Sequence, residues 1–364
     1  MKAAVFRGAG KPLSIEEVEL DPPKAGEVRV KIGAAGICRS DLHYMKGEGK
    51  ILEPAVLGHE GAGTVMELGE GVTTLKVGDR VILSFVPNCG RCKYCLTGRS
   101  NMCDAHFSTG ALFFDGTTRL HKGEERIHHM GKVACFAQEA IVPESGCVTI
   151  PDDVGFPQAA YIGCCVTTGV GAAIYGAKVT PGSSVAVVGC GGVGLNVLQG
   201  ARLSGATTII AVDTDDGKLE FAGQFGATHF VNPNNGDPIA AIKALTDGLG
   251  ADFTFEAFGG AETIETAYNS SKKGGTTVVI GISPIGSDPV INPVELVRFE
   301  KTLKGSFYGS ARPRVDFNVM VDLYRSGKID LDTLEGKHYS LDQINEAYAD
   351  LEAGLPGRGV ITEF

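Results

Sequence analysis

Ser183-Ser184-Val185-Ala186-Val187-Val188, followed at once by Gly189-Cys190-Gly191-Gly192-Val193-Gly194, is the stretch on which the fold turns. Its first half ends in a continuous apolar run, the pattern of a parallel strand covered on both faces. The second half is a GxGxxG hexapeptide, and residues 195–203 after it carry helical spacing. Alone, the hexapeptide says little. Between a buried strand and a helix it describes a tight turn that lets a pyrophosphate approach the free N–H groups of the helix N-terminus. Gly189, Gly191, Gly192, Val193 and Gly194 are therefore candidate cofactor-binding residues.

Working outward, the next apolar run, 207–212, ends at Asp213, nineteen residues past Gly194. A carboxylate there accepts hydrogen bonds from ribose hydroxyls and repels a 2′-phosphate, with Asp215 and Asp216 adding to the repulsion, so NAD is expected over NADP. Lys218 is either a second ribose contact or a solvated helix-surface lysine. Strand patterns near 229–231, 251–256 and 276–280 alternate with helical ones at 238–245 and 262–270, which predicts an α/β doubly wound parallel sheet.

Upstream the rhythm changes. Residues 28–32, 63–68 and 79–83 largely keep a period of two between Gly and Pro turns, which predicts a β-rich domain. Cys89-Gly-Arg-Cys92-Lys-Tyr-Cys95, with Cys103 close behind, has the spacing of four thiolates closing around a structural zinc. In Cys38-Arg39-Ser40-Asp41-Leu42-His43 and Gly58-His59-Glu60, a thiol, imidazoles and a carboxylate are of the types that bind zinc or pass protons, and Cys38 and His59 are candidate ligands of a catalytic metal. From 104 to 133 the chain is polar and irregular, and His106, His121, His128 and His129 are expected to be mostly solvated. Downstream of 308 the tail is expected to form two helices. In the first, 314–326, Val315, Val319 and Leu323 make the apolar stripe; the second is opened by a capping box at Ser340 and Gln343.

A chain of 364 residues suits two domains. Its net charge of −10, without a cluster of Lys or Arg, argues against a nucleic-acid partner. No run is apolar enough for a membrane span and no signal pattern opens the chain, so no membrane partner and a cytoplasmic location are expected. Ten cysteines in such a chain read as ligands or thiols before disulfides.

Gly58-His59-Glu60, the four-cysteine loop, Ile162-Gly163-Cys164 with Thr167-Thr168-Gly169, Gly189 to Gly194, and Gly226-Ala227-Thr228-His229 together resemble the zinc-containing medium-chain alcohol dehydrogenases over nearly the whole chain. The resemblance implies a discontinuous GroES-like catalytic domain, 1–165 and 308–364, around a Rossmann NAD-binding domain, 166–307. It implies Cys164 as third ligand of the catalytic zinc beside Cys38 and His59, with Cys165 as the alternative. Ser40 and His43 resemble the family's proton relay, Glu60 its carboxylate close to zinc, and Arg39 its pyrophosphate contact. Phe85, Met130, Ile282 and Phe307 stand where substrate or cofactor is lined, or are plain packing. The long segment between Cys103 and Gln138 resembles that of dimeric relatives, so a homodimer is expected, with a homotetramer as alternative. The implied reaction moves a hydride between a primary alcohol/aldehyde pair and NAD. Two alternatives stand beside it: a thiol-adduct-dependent formaldehyde dehydrogenase, against which it counts that its relatives carry acidic residues shortly after the relay region where this chain has only Glu48 between His43 and Glu53, and a non-catalytic zinc- and nucleotide-binding protein.

Overall fold

The computed structural model describes residues 1–364, which form two compact units: Met1–Cys164 with Arg312–Phe364, and Cys165–Ala311.

In the second unit six strands make one all-parallel sheet in the order His229–Val231, Thr208–Val212, Ser184–Val188, Ala251–Glu256, Ser271–Val279, Thr302–Gly305. Numbered along the chain, that is 3-2-1-4-5-6, the Rossmann order, in which ligands bind outside the carboxyl ends where the order reverses. The reversal lies between Ser184–Val188 and Ala251–Glu256, and the glycine hexapeptide begins at that edge. Val185, Ala186 and Val187 are wholly buried, as a strand flanked on both sides and covered on both faces requires. Helix Gly192–Leu203 follows, and helix Asp216–Gln224 opens on Asp215, whose carboxylate accepts from the backbone N–H of Gly217 and Lys218.

The first unit is built on two sheets. The larger is centred on Glu27–Gly36, which pairs antiparallel with Gly61–Leu68, Glu139–Pro143 and Arg358–Glu363. Its apolar side chains Val28, Val30 and Ile32 point into a core that also holds Val65, Val81, Phe136 and Tyr348. The other sheet runs Ser14–Glu17, Lys2–Phe6, Ala55–Val56, Glu125–His129, Leu120–Lys122, Glu19–Leu20.

Several local expectations are corrected. The tail is more than two helices: it carries strands Glu335–Ser340 and Arg358–Glu363, the latter paired to Glu27–Gly36, and both are short with little alternation to betray them. Helix Pro313–Arg325 turns Val315 and Val319 outward, 51% and 40% exposed, and buries Phe317, Met320 and Val321. Two stripes compete on that helix, and the one with larger side chains removes more apolar area from water. The 104–133 stretch is not irregular: it holds helix Asp104–Thr109 and a hairpin of Leu120–Lys122 and Glu125–His129. His106 and His129 are buried rather than solvated, and burial pushes each imidazole down to about 3. His129 Nε2 accepts from the Arg119 backbone, while Arg119, 1% exposed, grips both carboxylate oxygens of Glu27. One helix, Phe156–Ala177, is long and apolar enough to cross a membrane, but most of it is buried inside the protein.

Candidate metal centres and cofactor turn

Helix Arg39–Met45 begins directly after Cys38, and Gly58, at φ +86°, turns the chain so that His59 and Glu60 follow into the interior. Cys164 arrives on helix Phe156–Ala177. The ligating atoms of Cys38, His59 and Cys164 lie within 4.8 Å of one another, all three residues buried. Cys164 Sγ is 3.3 Å from His59 Nε2. Cys165, wholly buried, lies on the other side, within reach of Asn196 Nδ2.

The electrostatics are those of a cation-binding donor set. A hydrogen bond from the Cys164 thiol holds Cys38 well below the usual thiol range against the pull of burial, with the charges of Arg358 and His59 helping. That same bond, with burial, pushes Cys164 well up. Burial opposes a charged His59, yet Asp41 and Cys38 outweigh it and push the imidazole well up. Cys38 thus favours the thiolate, while the Cys164 sulfur and the His59 imidazole hold protons that a divalent ion displaces on binding. Two sulfurs and one nitrogen suit zinc and leave a fourth position open, a ligand set for which the catalytic zinc of alcohol dehydrogenase is the standard example.

Behind the donors stand three more groups, of which only Glu60 was expected from the sequence. Asp41, fully buried, uses one oxygen for both hydrogen bonds, to Gly58 N–H at 2.8 Å and to His59 Nδ1 at 3.3 Å, and its other oxygen lies 3.2 Å from the same ring nitrogen. It orients the ring so that Nε2 faces the sulfurs. Glu60, also fully buried, takes Arg358 Nε at 3.2 Å and Nη2 on one oxygen, while its other oxygen has no partner in the protein. Burial raises the Glu60 carboxyl and Arg358 pulls against it. An acid three residues after a ligand cysteine is a signal for Asp41; Arg358, 298 residues from Glu60, leaves none.

Ser40 Oγ lies 3.7 Å from Cys38 Sγ, and His43 sits one turn along the same helix. Phe85 packs edge-on against His59, ring centroids 5.2 Å apart at 88°. Met130 is buried in the core of this unit, Arg39 is exposed at the first position of its helix, and Ile282 is 55% exposed in the other unit. The second cluster, Cys89, Cys92, Cys95 and Cys103, also brings its sulfurs within 4.8 Å, and none of the ten cysteines is in a disulfide. The Cys95 N–H holds Cys92 down to about 6, whereas burial pushes Cys95 up to about 12. Four sulfurs fit zinc with no open position, which is the form of a structural site.

At the glycine turn, Gly189 has φ +97°, and a Cβ on Gly194 would fall 1.8 Å from the Gly189 carbonyl, so neither tolerates a side chain. A Cβ on Gly191 would meet nothing within 4 Å, which leaves that face clear for a ligand. Asp213 accepts from Cys190 N–H at 2.8 Å on one oxygen and from Asp215 N–H at 3.2 Å on the other, and each oxygen keeps a lone pair for a hydroxyl.

Residues 24–152 match the alcohol dehydrogenase GroES-like domain and residues 192–326 the zinc-binding dehydrogenase family. The alcohol dehydrogenase class-3 of Cereibacter sphaeroides is 42% identical, over 99% of each chain. The chain belongs to the zinc-containing medium-chain alcohol dehydrogenase family. An S-(hydroxymethyl)glutathione dehydrogenase of Paracoccus denitrificans is 41% identical over 99% of each chain. Among solved structures, the benzyl alcohol dehydrogenase of Acinetobacter calcoaceticus superposes with a TM-score of 0.94 at 34% identity, covering 100% of this chain and 99% of that one. As a medium-chain alcohol dehydrogenase, the protein is a zinc-dependent oxidoreductase that uses a nicotinamide dinucleotide and acts on an alcohol/aldehyde pair.

Proposed function

We propose that this dehydrogenase interconverts primary alcohols and aldehydes with NAD, using Cys38, His59 and Cys164 to hold the catalytic zinc and Cys89, Cys92, Cys95 and Cys103 to hold a structural one. The observation that carries the reading is the buried three-donor cluster with Asp41 behind its imidazole. Zinc, when bound, supplies a Lewis acid that favours loss of an alcohol proton, and the nicotinamide supplies the hydride acceptor. The chain's own residues do the rest. Asp41 fixes His59, Glu60 and Arg358 keep a compensated charge beside the cluster, and Phe85 closes an apolar wall against His59. Ser40 accepts the hydroxyl proton, and His43 passes it to solvent by way of the cofactor ribose. Gly189, Gly191, Gly192, Val193 and Gly194 admit the pyrophosphate, which Arg39 neutralises, and Asp213 with Lys218 takes the adenosine ribose and disfavours a 2′-phosphate. The exposed Ile282 is assigned to the nicotinamide side of the cofactor, and the catalytic and Rossmann domains are drawn at 1–165 with 308–364 and at 166–307, beside compact units of 1–164 with 312–364 and 165–311. The resemblance of the 103–138 segment supports a homodimer, and ten cysteines outside any disulfide support a reducing, cytoplasmic compartment.

The S-(hydroxymethyl)glutathione dehydrogenase relatives support a second reading, oxidation of a thiol adduct of formaldehyde. Steady-state rates of NADH formation separate the two: ethanol, longer alcohols and benzyl alcohol on one side, formaldehyde with and without glutathione on the other. Turnover of simple alcohols is expected. Strict thiol dependence would overturn the first reading, and purified protein with two zincs per chain and no turnover of any substrate would overturn both.

A further inference from the structure

Helix Arg39–Met45 ends in Lys46-Gly47-Glu48, and that ending aims a carboxylate at His43. Gly47 has φ +77°. Its N–H donates to the Tyr44 carbonyl at 3.0 Å, and the Glu48 N–H donates to the His43 carbonyl at 2.8 Å. These two bonds form a Schellman motif, in which a left-handed residue just past the helix folds the chain back so that the next side chain meets the one at the third position from the helix end. Apolar side chains commonly fill those two places. In this chain they are Glu48 and His43, and Glu48 Oε2 lies 2.5 Å from His43 Nδ1. The pair is partly sheltered, with side chains 34% and 15% exposed.

An ionised carboxylate only accepts hydrogen bonds, so in the neutral imidazole Nδ1 carries the proton and Nε2 keeps the lone pair. We propose that Glu48 is a positioning residue for proton release: it holds His43 in the Nδ1–H tautomer, so that Nε2 is the atom that accepts the proton lost by the alcohol. The proposal rests on the reading of His43 as the proton outlet and adds the group that sets its tautomer. Oxidation sends one proton with two electrons to NAD⁺ as hydride and leaves the hydroxyl proton as the other product. His43 Nε2 takes up that proton, the imidazolium stands against the Glu48 carboxylate, and the proton then leaves to solvent. Glu48 keeps its charge throughout, as the carboxylate of a catalytic triad does. A carboxylate engaged in this way is turned toward the imidazole, whereas the thiol-adduct reading would have it contact the substrate.

The test uses the zinc-loaded full-length enzyme, ¹⁵N-labelled at histidine, with Glu48→Ala, Glu48→Gln and His43→Gln variants. His43→Gln identifies the His43 signals among the eight histidines. With the ring neutral, the unsubstituted enzyme is expected to show a protonated Nδ1 and a bare Nε2. Glu48→Ala should mix the tautomers, and Glu48→Gln, whose amide oxygen still accepts, should largely restore the first. The pre-steady-state rate of NADH formation from benzyl alcohol should fall about tenfold in Glu48→Ala, a fraction of the 10²–10⁴ typical of general acid–base catalysis. KM for benzyl alcohol and NAD should stay within about twofold of the starting values if Glu48 acts on proton transfer alone. An unchanged His43 tautomer in Glu48→Ala overturns the proposal. So does an unchanged benzyl alcohol rate with a raised KM for S-hydroxymethylglutathione, which would make Glu48 a substrate contact. A near-normal rate in His43→Gln overturns the relay reading itself, and a slow His43→Gln beside a normal Glu48→Ala overturns the Glu48 role alone.

Discussion

Replacing Arg358 with Met removes the guanidinium that holds Glu60 and leaves the rest of the cluster in place. Glu60 is 0% exposed and one of its oxygens already has no partner in the protein, so the variant strands a buried carboxylate without its guanidinium. Breaking a buried pair from one side costs roughly 3–5 kcal/mol, because the charge left behind is neither hydrated nor matched. For a unit of about 200 residues, roughly 2–4 °C is lost per kcal/mol, so the melting temperature of the zinc-loaded protein should fall by about 6–20 °C. Scanning calorimetry is the assay, since two compact units need not unfold in one step. The doubly substituted Glu60→Gln/Arg358→Met protein separates the stranded charge from lost packing. Because the two residues touch, their effects should be strongly non-additive, and the double variant should regain at least half of the loss. A single variant that melts within about 2 °C of the parent would refute the reasoning, as would a double variant no more stable than the single.

Cys38→Ser should abolish alcohol oxidation while the protein stays folded, read by turnover beside circular dichroism; near-normal turnover would remove Cys38 from the metal site. Cys95→Ser should instead lower zinc content from two per chain to one and lower the melting temperature first, and unchanged thermal stability would count against a structural metal there. Gly194→Ala places a methyl 1.8 Å from the Gly189 carbonyl and should weaken NADH binding at least tenfold in a fluorescence titration; unchanged binding would place the dinucleotide elsewhere. Arg7 holds the Glu16 carboxyl down to about 2, so the stability it contributes is present above about 4.3, the ordinary glutamate value, and is lost as pH falls toward 2. The melting-temperature gap between the parent and Glu16→Gln should therefore be full at pH 7 and shrink between pH 4 and 2; a constant gap would show that charge is not its source.

Much of the chemistry was legible because it is local. The glycine hexapeptide, the Cys89–Cys103 loop and the Ser340–Gln343 capping box are each built by residues within one turn or loop, and the spacing of such groups is itself the geometry. The Gly47 turn that brings Glu48 onto His43 is local as well, but its outcome depends on a backbone bond pattern that composition does not announce.

By itself the sequence determined a βα-alternating half with a dinucleotide turn, a strand-rich half with a four-thiol loop, and the donors Cys38 and His59 on two neighbouring segments. Only the tertiary structure decided what meets those donors. Successive residues on a helix point about 100° apart, so Cys164 and Cys165 cannot both face the same site, and the packing of helix Phe156–Ala177 turns Cys164 toward His59, 105 residues away. The same holds for Arg358, which reaches Glu60 because strand Arg358–Glu363 closes onto Glu27–Gly36. A charge pair between segments almost 300 residues apart has no period to read, since what joins it is the register of a sheet.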